Sequence, residues 1–199
     1  MKWGFKNLVR AGVSGFMYDF YIYCGKNESE KNVEELKDLQ KSAQVVGKLC
    51  LTLPCNANDK LFFDNWFSTL SLFDYINIKG FLCFGTIRPS HLGDCACISN
   101  PSLKKKGRGE FDYKLNTDTG LLVAKWFDNM IVHVASNCAE INPVGPVKRW
   151  SKTAKLHQDI SCPNMIMEYN KGMGGVDTAN MLIALYRILI KTELWYIKP

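Results

Sequence analysis

From Phe16 to Tyr23 the residues fall on two sides of an extended chain. Phe16, Tyr18, Phe20 and Ile22 share one face, and Met17, Asp19, Tyr21 and Tyr23 share the other. Trp3 to Val9 is similarly rich in aromatic and β-branched residues. Gly12 and Ser14-Gly15 lie between the two runs, which together predict a β-hairpin. The stretch from Asn27 to Asp38 is charged and reads as a solvated loop with some helical character. From Ser42, a residue suited to capping, the period changes. Val46, Leu49, Cys50 and Leu53 recur at helical spacing until Pro54 and the Asn56 to Asp59 stretch end the run. Leu61-Phe62-Phe63 is short and wholly apolar, the pattern of a strand buried on both faces. A helix is predicted over 68–78, closed by Gly80, and a strand over 81–87.

The chain then changes character. Arg88 to Gly109 contains proline, glycine and the run Lys104-Lys105-Lys106-Gly107-Arg108, and reads as an exposed linker. Strands are predicted over 111–115, 121–127 and 131–135, separated by turns at Asp118-Thr119-Gly120 and Asp128-Asn129. Asn142 to Lys155 reads as a second basic, proline-containing connection. A final helix is expected from Met173 or Asp177 to about Ile190. A hairpin followed by helix, strand, helix and strand predicts an α/β fold: a mixed sheet with crossover helices.

Composition narrows the class. The 199 residues suit one domain with room for an insertion, and 47% hydrophobic with 12% aromatic residues supply a sizeable core. No apolar run approaches the roughly 18 residues that span a bilayer, and residues 1–10 lack a signal-peptide pattern, so a soluble, intracellular protein is expected, with no membrane partner. The formal charge of +6 permits nucleic-acid binding without requiring it. Eight cysteines, at 24, 50, 55, 83, 95, 97, 138 and 162, form no CxxC pair and share no register with His91, His133 and His157. Free thiols, several of them buried, are a better reading than a zinc site.

Two carboxylates stand out. In "LFFDNWFS", Asp64 directly follows a buried strand, and ligands of open α/β sheets bind beyond the carboxyl ends of strands. A local turn or helix cap by Asp64 or Asn65 explains the same pattern. In "YNKGMGGVDTANM", Asp177 follows Gly174-Gly175 near a helix start. It reads equally as an N-cap and as a carboxylate beside backbone that glycine opens to a metal or a phosphate. The pattern does not separate these readings.

A set of longer motifs goes further: "KWGFK" at 2–6, "YDFYIYCGK" at 18–26, "FFDNWFSTLSL" at 62–72, "KGFLCFGTIRPS" at 79–90 and "KKKGRGEFDY" at 105–113. "VAKWFDNMIVHVASN" at 123–137, "VKRWSK" at 147–152, "CPNMIMEYNKGMGGVD" at 162–177 and "LYR" at 185–187 complete it. In this order, and over nearly the whole chain, they resemble the transposase domain of the piggyBac transposable-element family, particularly its domesticated, transposon-derived members.

The resemblance implies an RNase H-like mixed sheet with flanking helices and a β-rich insertion, which would hold the strands at 111–135. The corresponding division is 1–89 for the first part of the core, 90–160 for basic linkers and insertion, and 161–199 for the C-terminal helical part. It implies three aspartates that bind Mg²⁺ or Mn²⁺ and cut and join DNA. The second matches Asp64 and the third Asp177. Carboxylates are the required type because two hard cations about 4 Å apart need oxygen ligands to activate the attacking oxygen and stabilise the leaving one. On this view the glycines let the last helix start close to a metal-bound phosphate. DNA, specifically transposon ends, is the implied partner, with a homodimer a further expectation. A nuclear location follows from ancestry and charge, with the cytoplasm otherwise.

Departures from the family pattern set a second expectation. The family's first aspartate lies on a strand upstream of "KWGFK", where this chain begins, so the first catalytic strand is expected to be missing and the segment to be truncated. The family's N-terminal region and its cysteine-rich C-terminal domain are likewise not expected. Asp19 occupies the family's second strand, not a catalytic position, and Asp74, Asp94, Asp112, Asp118 and Asp128 have no better claim. Asn180 stands where many relatives carry an acid, and Glu193 where a basic residue is more typical. The expected outcome is a catalytically incomplete domain, alternatively a host-adopted DNA- or protein-binding module. Lys104, Lys105, Lys106, Arg108, Lys148 and Arg149 are the candidate DNA contacts.

Overall fold

The computed structural model describes residues 6–23, 33–93, 95–152 and 154–186. In chain order the strands are β1 (Lys6–Ala11), β2 (Met17–Tyr23), β3 (Lys60–Phe63), β4 (Leu82–Thr86), β5 (Phe111–Leu115), β6 (Leu122–Phe127), β7 (Ile131–Ser136), β8 (Gly145–Ser151) and β9 (Leu156–Cys162). The helices are α1 (Lys41–Cys50), α2 (Leu70–Ile78), α3 (Asn100–Lys106), α4 (Asn164–Gly172) and α5 (Gly175–Leu185). The chain forms two compact units, Met1–Tyr23 with Gly174–Pro199, and Cys24–Met173.

The larger unit is an α/β structure around a mixed five-stranded sheet, in the order β3-β4-β7-β6-β5. β3 and β4 are parallel and joined through α2, whereas β7, β6 and β5 continue the sheet antiparallel. The sheet therefore runs across residue 90. Side-chain alternation builds a core on each face. Cys83, Val123 and Ala135 point to the face covered by α1 and α2, where they meet Leu72, Phe73 and Ile76. Phe84, Leu122, Ala124, Trp126 and Val134 point to the other, against Met165, Ile166 and Tyr169 of α4 and Ile160 and Cys162 of β9. β6 is buried on both faces, so even Lys125 is buried; its Nζ donates to the Ile98 carbonyl.

The pattern of Leu61-Phe62-Phe63 located β3, but Leu61 and Phe62 are only half-buried, because β3 is at an edge of this sheet. Thr69 caps α2, its hydroxyl accepting from Leu72 N, and Gly80 follows with φ +74° as a helix-terminating glycine does. α1 begins at Lys41 with Gln40 as N-cap, two residues ahead of the expected Ser42 cap, and Leu53 lies beyond its end. Cys50, Cys83 and Cys162 are buried free thiols, and burial pushes the Cys83 thiol up.

Three segments differ from expectation. The linker over 88–109 contains α3, capped by Ser99, whose hydroxyl accepts from Ser102 N; fully buried Leu103 pins it to the body. The basic connection over 142–155 contains β8, paired antiparallel with β9 from Gly145↔Cys162 to Ser151↔Leu156. α4 precedes the expected final helix as a separate element. α3 and α4 are fixed by the distant core residues they cover, and β8 by its hairpin partner β9; local periodicity encodes none of these pairings. The predicted strand and helix ends at 3–5 and 187–190, and the first half of the charged 27–38 stretch, lie outside the described residues. The described part of that stretch holds a 3₁₀ turn, Glu34–Leu36, with Leu36 buried.

Asn137 closes the parallel edge. Its Oδ1 accepts from Cys83 N at 2.8 Å, and its Nδ2 donates to Phe81 O at 2.9 Å and Asn77 Oδ1 at 3.0 Å. Asn137→Ala leaves a part-buried backbone donor without its partner, so a loss of about 1–2 kcal/mol is expected in urea unfolding.

In the smaller unit β1 and β2 pair antiparallel with an irregularity at Arg10/Ala11, as the hairpin pattern predicted. Gly12 N donates to Phe16 O and Gly15, at φ +85°, turns the loop. α5 starts against this loop: a Cβ on Gly175 would stand 2.5 Å from the Gly12 carbonyl oxygen. Gly174, by contrast, has open space around it. The close approach that the glycine pair signalled is accounted for by the protein's own backbone.

Candidate nucleic-acid interface and carboxylate site

Asp64 leaves the carboxyl end of β3, just past buried Phe63. Its Oδ1 accepts from Trp66 N at 2.8 Å, and its carbonyl accepts from Phe67 N and from Ser68 Oγ. This is the side-chain turn that aspartate forms readily, so the turn reading of Asp64 holds in the structure. The side chain is exposed, and the same turn fixes it at the strand end, where a ligand-binding carboxylate also belongs.

Around it lie groups from neighbouring elements. Arg88 Nε donates to Asn65 Oδ1 at 3.3 Å. Thr86, the last residue of β4, shares a hydrogen bond of 3.2 Å with the Tyr169 hydroxyl of α4. Burial, and secondarily the negative charge of Asp64, raises the Tyr169 hydroxyl pKa and keeps the phenol protonated. His91 Nδ1 contacts the Ser68 carbonyl at 2.9 Å. The carboxyl ends of β3 and β4 thus gather Asp64 with neutral oxygens and a guanidinium. Tyr169 and Arg88 were not singled out from the sequence. Both lie inside quoted motifs, "CPNMIMEYNKGMGGVD" and "KGFLCFGTIRPS", but neither has a local pattern that marks it as a site residue.

Asp177 belongs to the smaller unit, in the first turn of α5. Gly174 is the N-cap, and no side chain caps the helix, so Asp177 is not the cap. As the third residue of the helix its charge complements the helix dipole, and its side chain is exposed. Asp19 faces Arg10 across the hairpin, a cross-strand pairing of opposite charges. Among the described residues no three His, Cys, Asp or Glu side chains gather as a metal-binding group. A pair of Mg²⁺ or Mn²⁺ ions needs several hard oxygen ligands. Of Asp64, Asn65, Thr86, Arg88 and Tyr169 at the carboxyl ends of β3 and β4, Asp64 is the one carboxylate, which does not by itself fit that demand.

The basic candidates divide. Lys104, Lys105 and Lys106 form the exposed last turn of α3, where positive charge also suits the helix end. Lys148 is exposed on β8. Arg108 and Arg149 are different: both are committed to Asp128. Arg108 Nε and Nη2 lie 2.6 and 2.5 Å from Asp128 Oδ1, and Arg149 Nε lies 3.1 Å from Oδ2. Arg149 also sits 5.9 Å from the Trp126 ring centroid, at cation–π distance, and Arg108 Nη1 donates to the Trp150 carbonyl at 3.4 Å. In the sequence Asp128 marks a turn and has no better catalytic claim than its neighbours; nothing local shows its arginine partners. Its two partners lie 20 and 21 positions away in sequence.

The family model described as Transposase IS4 matches residues 1–199. The human protein "PiggyBac transposable element-derived protein 3" is 35% identical over 199 residues, covering all of this chain and 33% of that protein. The human "PiggyBac transposable element-derived protein 2" is 32% identical over 136 residues, 68% of this chain and 23% of that protein. The chain therefore spans about a third or less of the length of these relatives. Among solved structures, a piggyBac transposase synaptic complex with hairpin DNA, determined by cryo-EM, matches with a TM-score of 0.64 at 19% identity, covering 92% of this chain and 34% of that one. At that identity the likeness establishes the fold.

Proposed function

The chain belongs to the piggyBac transposase family, and from that premise we propose that it is a transposase-derived, DNA-binding segment whose own residues do not complete the ancestral cleavage site. Asp64 and Asp177 are the inherited second and third acids of that site. With a third carboxylate they would have held Mg²⁺ or Mn²⁺, the ions that activate and stabilise oxygens in strand cleavage and transfer. DNA is the partner, a homodimer the assembly, and the nucleus the location.

One observation carries the reading. At the carboxyl ends of β3 and β4, Asp64 stands next to Asn65, which Arg88 bonds, and its charge acts on Tyr169, which shares a hydrogen bond with Thr86. The Arg88 guanidinium, bonded to the residue next to Asp64, adds positive charge that favours a phosphate. The exposed lysines of α3 and β8 add charge suited to the same polyanion.

Two measurements test it. Supercoiled plasmid incubated with Mg²⁺ or Mn²⁺ is expected to stay intact. Metal-dependent nicking that both Asp64→Ala and Asp177→Ala abolish would overturn the incomplete-site reading. In the second, duplex DNA affinity should fall roughly a hundred-fold between about 50 and 200 mM salt if the four exposed lysines each neutralise a phosphate. A flat salt response removes the DNA reading.

A further inference from the structure

We propose that Trp150 and His157, paired across the β8–β9 hairpin, form a stacking platform for an unpaired DNA base; this deepens the DNA-binding reading and rests on it. The two residues are register partners, with ring centroids 5.3 Å apart and planes at 69°. Trp150 is 49% exposed although it lies in a paired strand. A single exposed aromatic residue is ordinary. Its mounting and its neighbours make this one a platform.

The alternation of β8 turns Val147 and Arg149 inward and Lys148 and Trp150 outward. Ile160 and Cys162 of β9 are buried in the core below. Arg149 is held by Asp128 beneath the hairpin, and Arg108 bonds the carbonyl of Trp150 itself. The indole is thus presented by a strand clamped at its back, with little ordering left to lose on binding. Exposed Lys148, Lys152 and Lys155 lie on or beside this surface, and Asp159, opposite Lys148, is the acid among them. Net positive charge beside an open aromatic face is the chemistry that binds single strands, because every base offers a π-face once it is unpaired. An intact duplex hides those faces. The occupant is therefore single-stranded DNA or a frayed DNA end. Arg108 and Arg149 act as positioning residues, and the phosphate contacts fall to the lysines.

The test compares the full chain with Trp150→Leu and Trp150→Phe, using an oligothymidylate and a blunt duplex. Trp150→Leu should weaken oligothymidylate binding about ten-fold and leave duplex binding unchanged. Trp150→Phe should retain most of the affinity, which shows that the loss is of stacking and not of folding. Quenching of intrinsic fluorescence by the oligonucleotide should shrink in Trp150→Leu relative to the parent. Equal oligothymidylate affinity in the parent and Trp150→Leu, with duplex binding intact, overturns the platform and spares the DNA reading. Failure of the parent to bind either DNA overturns both.

Discussion

Asp128→Ala is expected to lower the unfolding free energy by about 2–3 kcal/mol, more than any ordinary surface ion pair contributes. Two guanidiniums converge on this one carboxylate at 2.5–3.1 Å. Its side chain is 16% exposed, with Arg108 at 21% and Arg149 at 36%. Removing it leaves two like charges facing each other in a partly dry site. That sets the cost between the fraction of a kcal/mol typical of exposed pairs and the larger penalty of orphaning a fully buried charge. Asp128→Asn keeps the shape and loses the charge, so it should destabilise nearly as much. Urea unfolding of the three proteins reads the effect directly. A change within about 0.5 kcal/mol for Asp128→Ala would mean that the β6–β7 turn and the β8–β9 hairpin are not tied together through this residue.

Gly175→Ala should destabilise as well, by about 2 kcal/mol, and here the sign is the informative part. By helix propensity alone alanine gains up to roughly 1 kcal/mol over glycine. In the fold, the new methyl would meet the Gly12 carbonyl oxygen at 2.5 Å and the Ala11 carbonyl oxygen at 3.1 Å. Those atoms are backbone in the loop of a short hairpin and cannot rotate away, so α5 must move off β1, with an overpacking cost that exceeds the propensity gain. Gly174→Ala is the steric control: nothing lies within 4 Å of its added Cβ, so it should cost only the loss of an N-cap glycine, under about 1 kcal/mol. Hydrogen exchange of the α5 amides is the measurement, since it reports local opening of this unit. Slower exchange in Gly175→Ala would show that propensity outweighs the contact.

Periodicity over a few residues made much of the larger unit legible. The Leu61-Phe62-Phe63 run, the helix before Gly80 and the strand after it are β3, α2 and β4, and the three strands split by Asp118-Thr119-Gly120 and Asp128-Asn129 are β5 to β7. These elements announce themselves because their dihedrals and burial repeat within one window. The turn at Asp64 is equally local, since its acceptor and donor are two residues apart. The ordered motifs identified the family, which the comparisons establish.

What the window does not contain is the identity of a distant partner. Lys104 and Arg108 belong to the same basic run, yet Lys104 is exposed and Arg108 is committed to Asp128. Leu103 turned a linker into a helix by finding the core, and β8 became a strand because β9 completes its hydrogen bonds. The glycine pair before Asp177 signalled a close approach, and only the fold showed that it is the Gly12 carbonyl that comes close. By itself the sequence determined which segments repeat, turn and match a family, because those are properties of neighbouring residues. The tertiary structure alone decided which charges are already neutralised and which glycine is crowded, because both depend on atoms that the chain brings together only by folding.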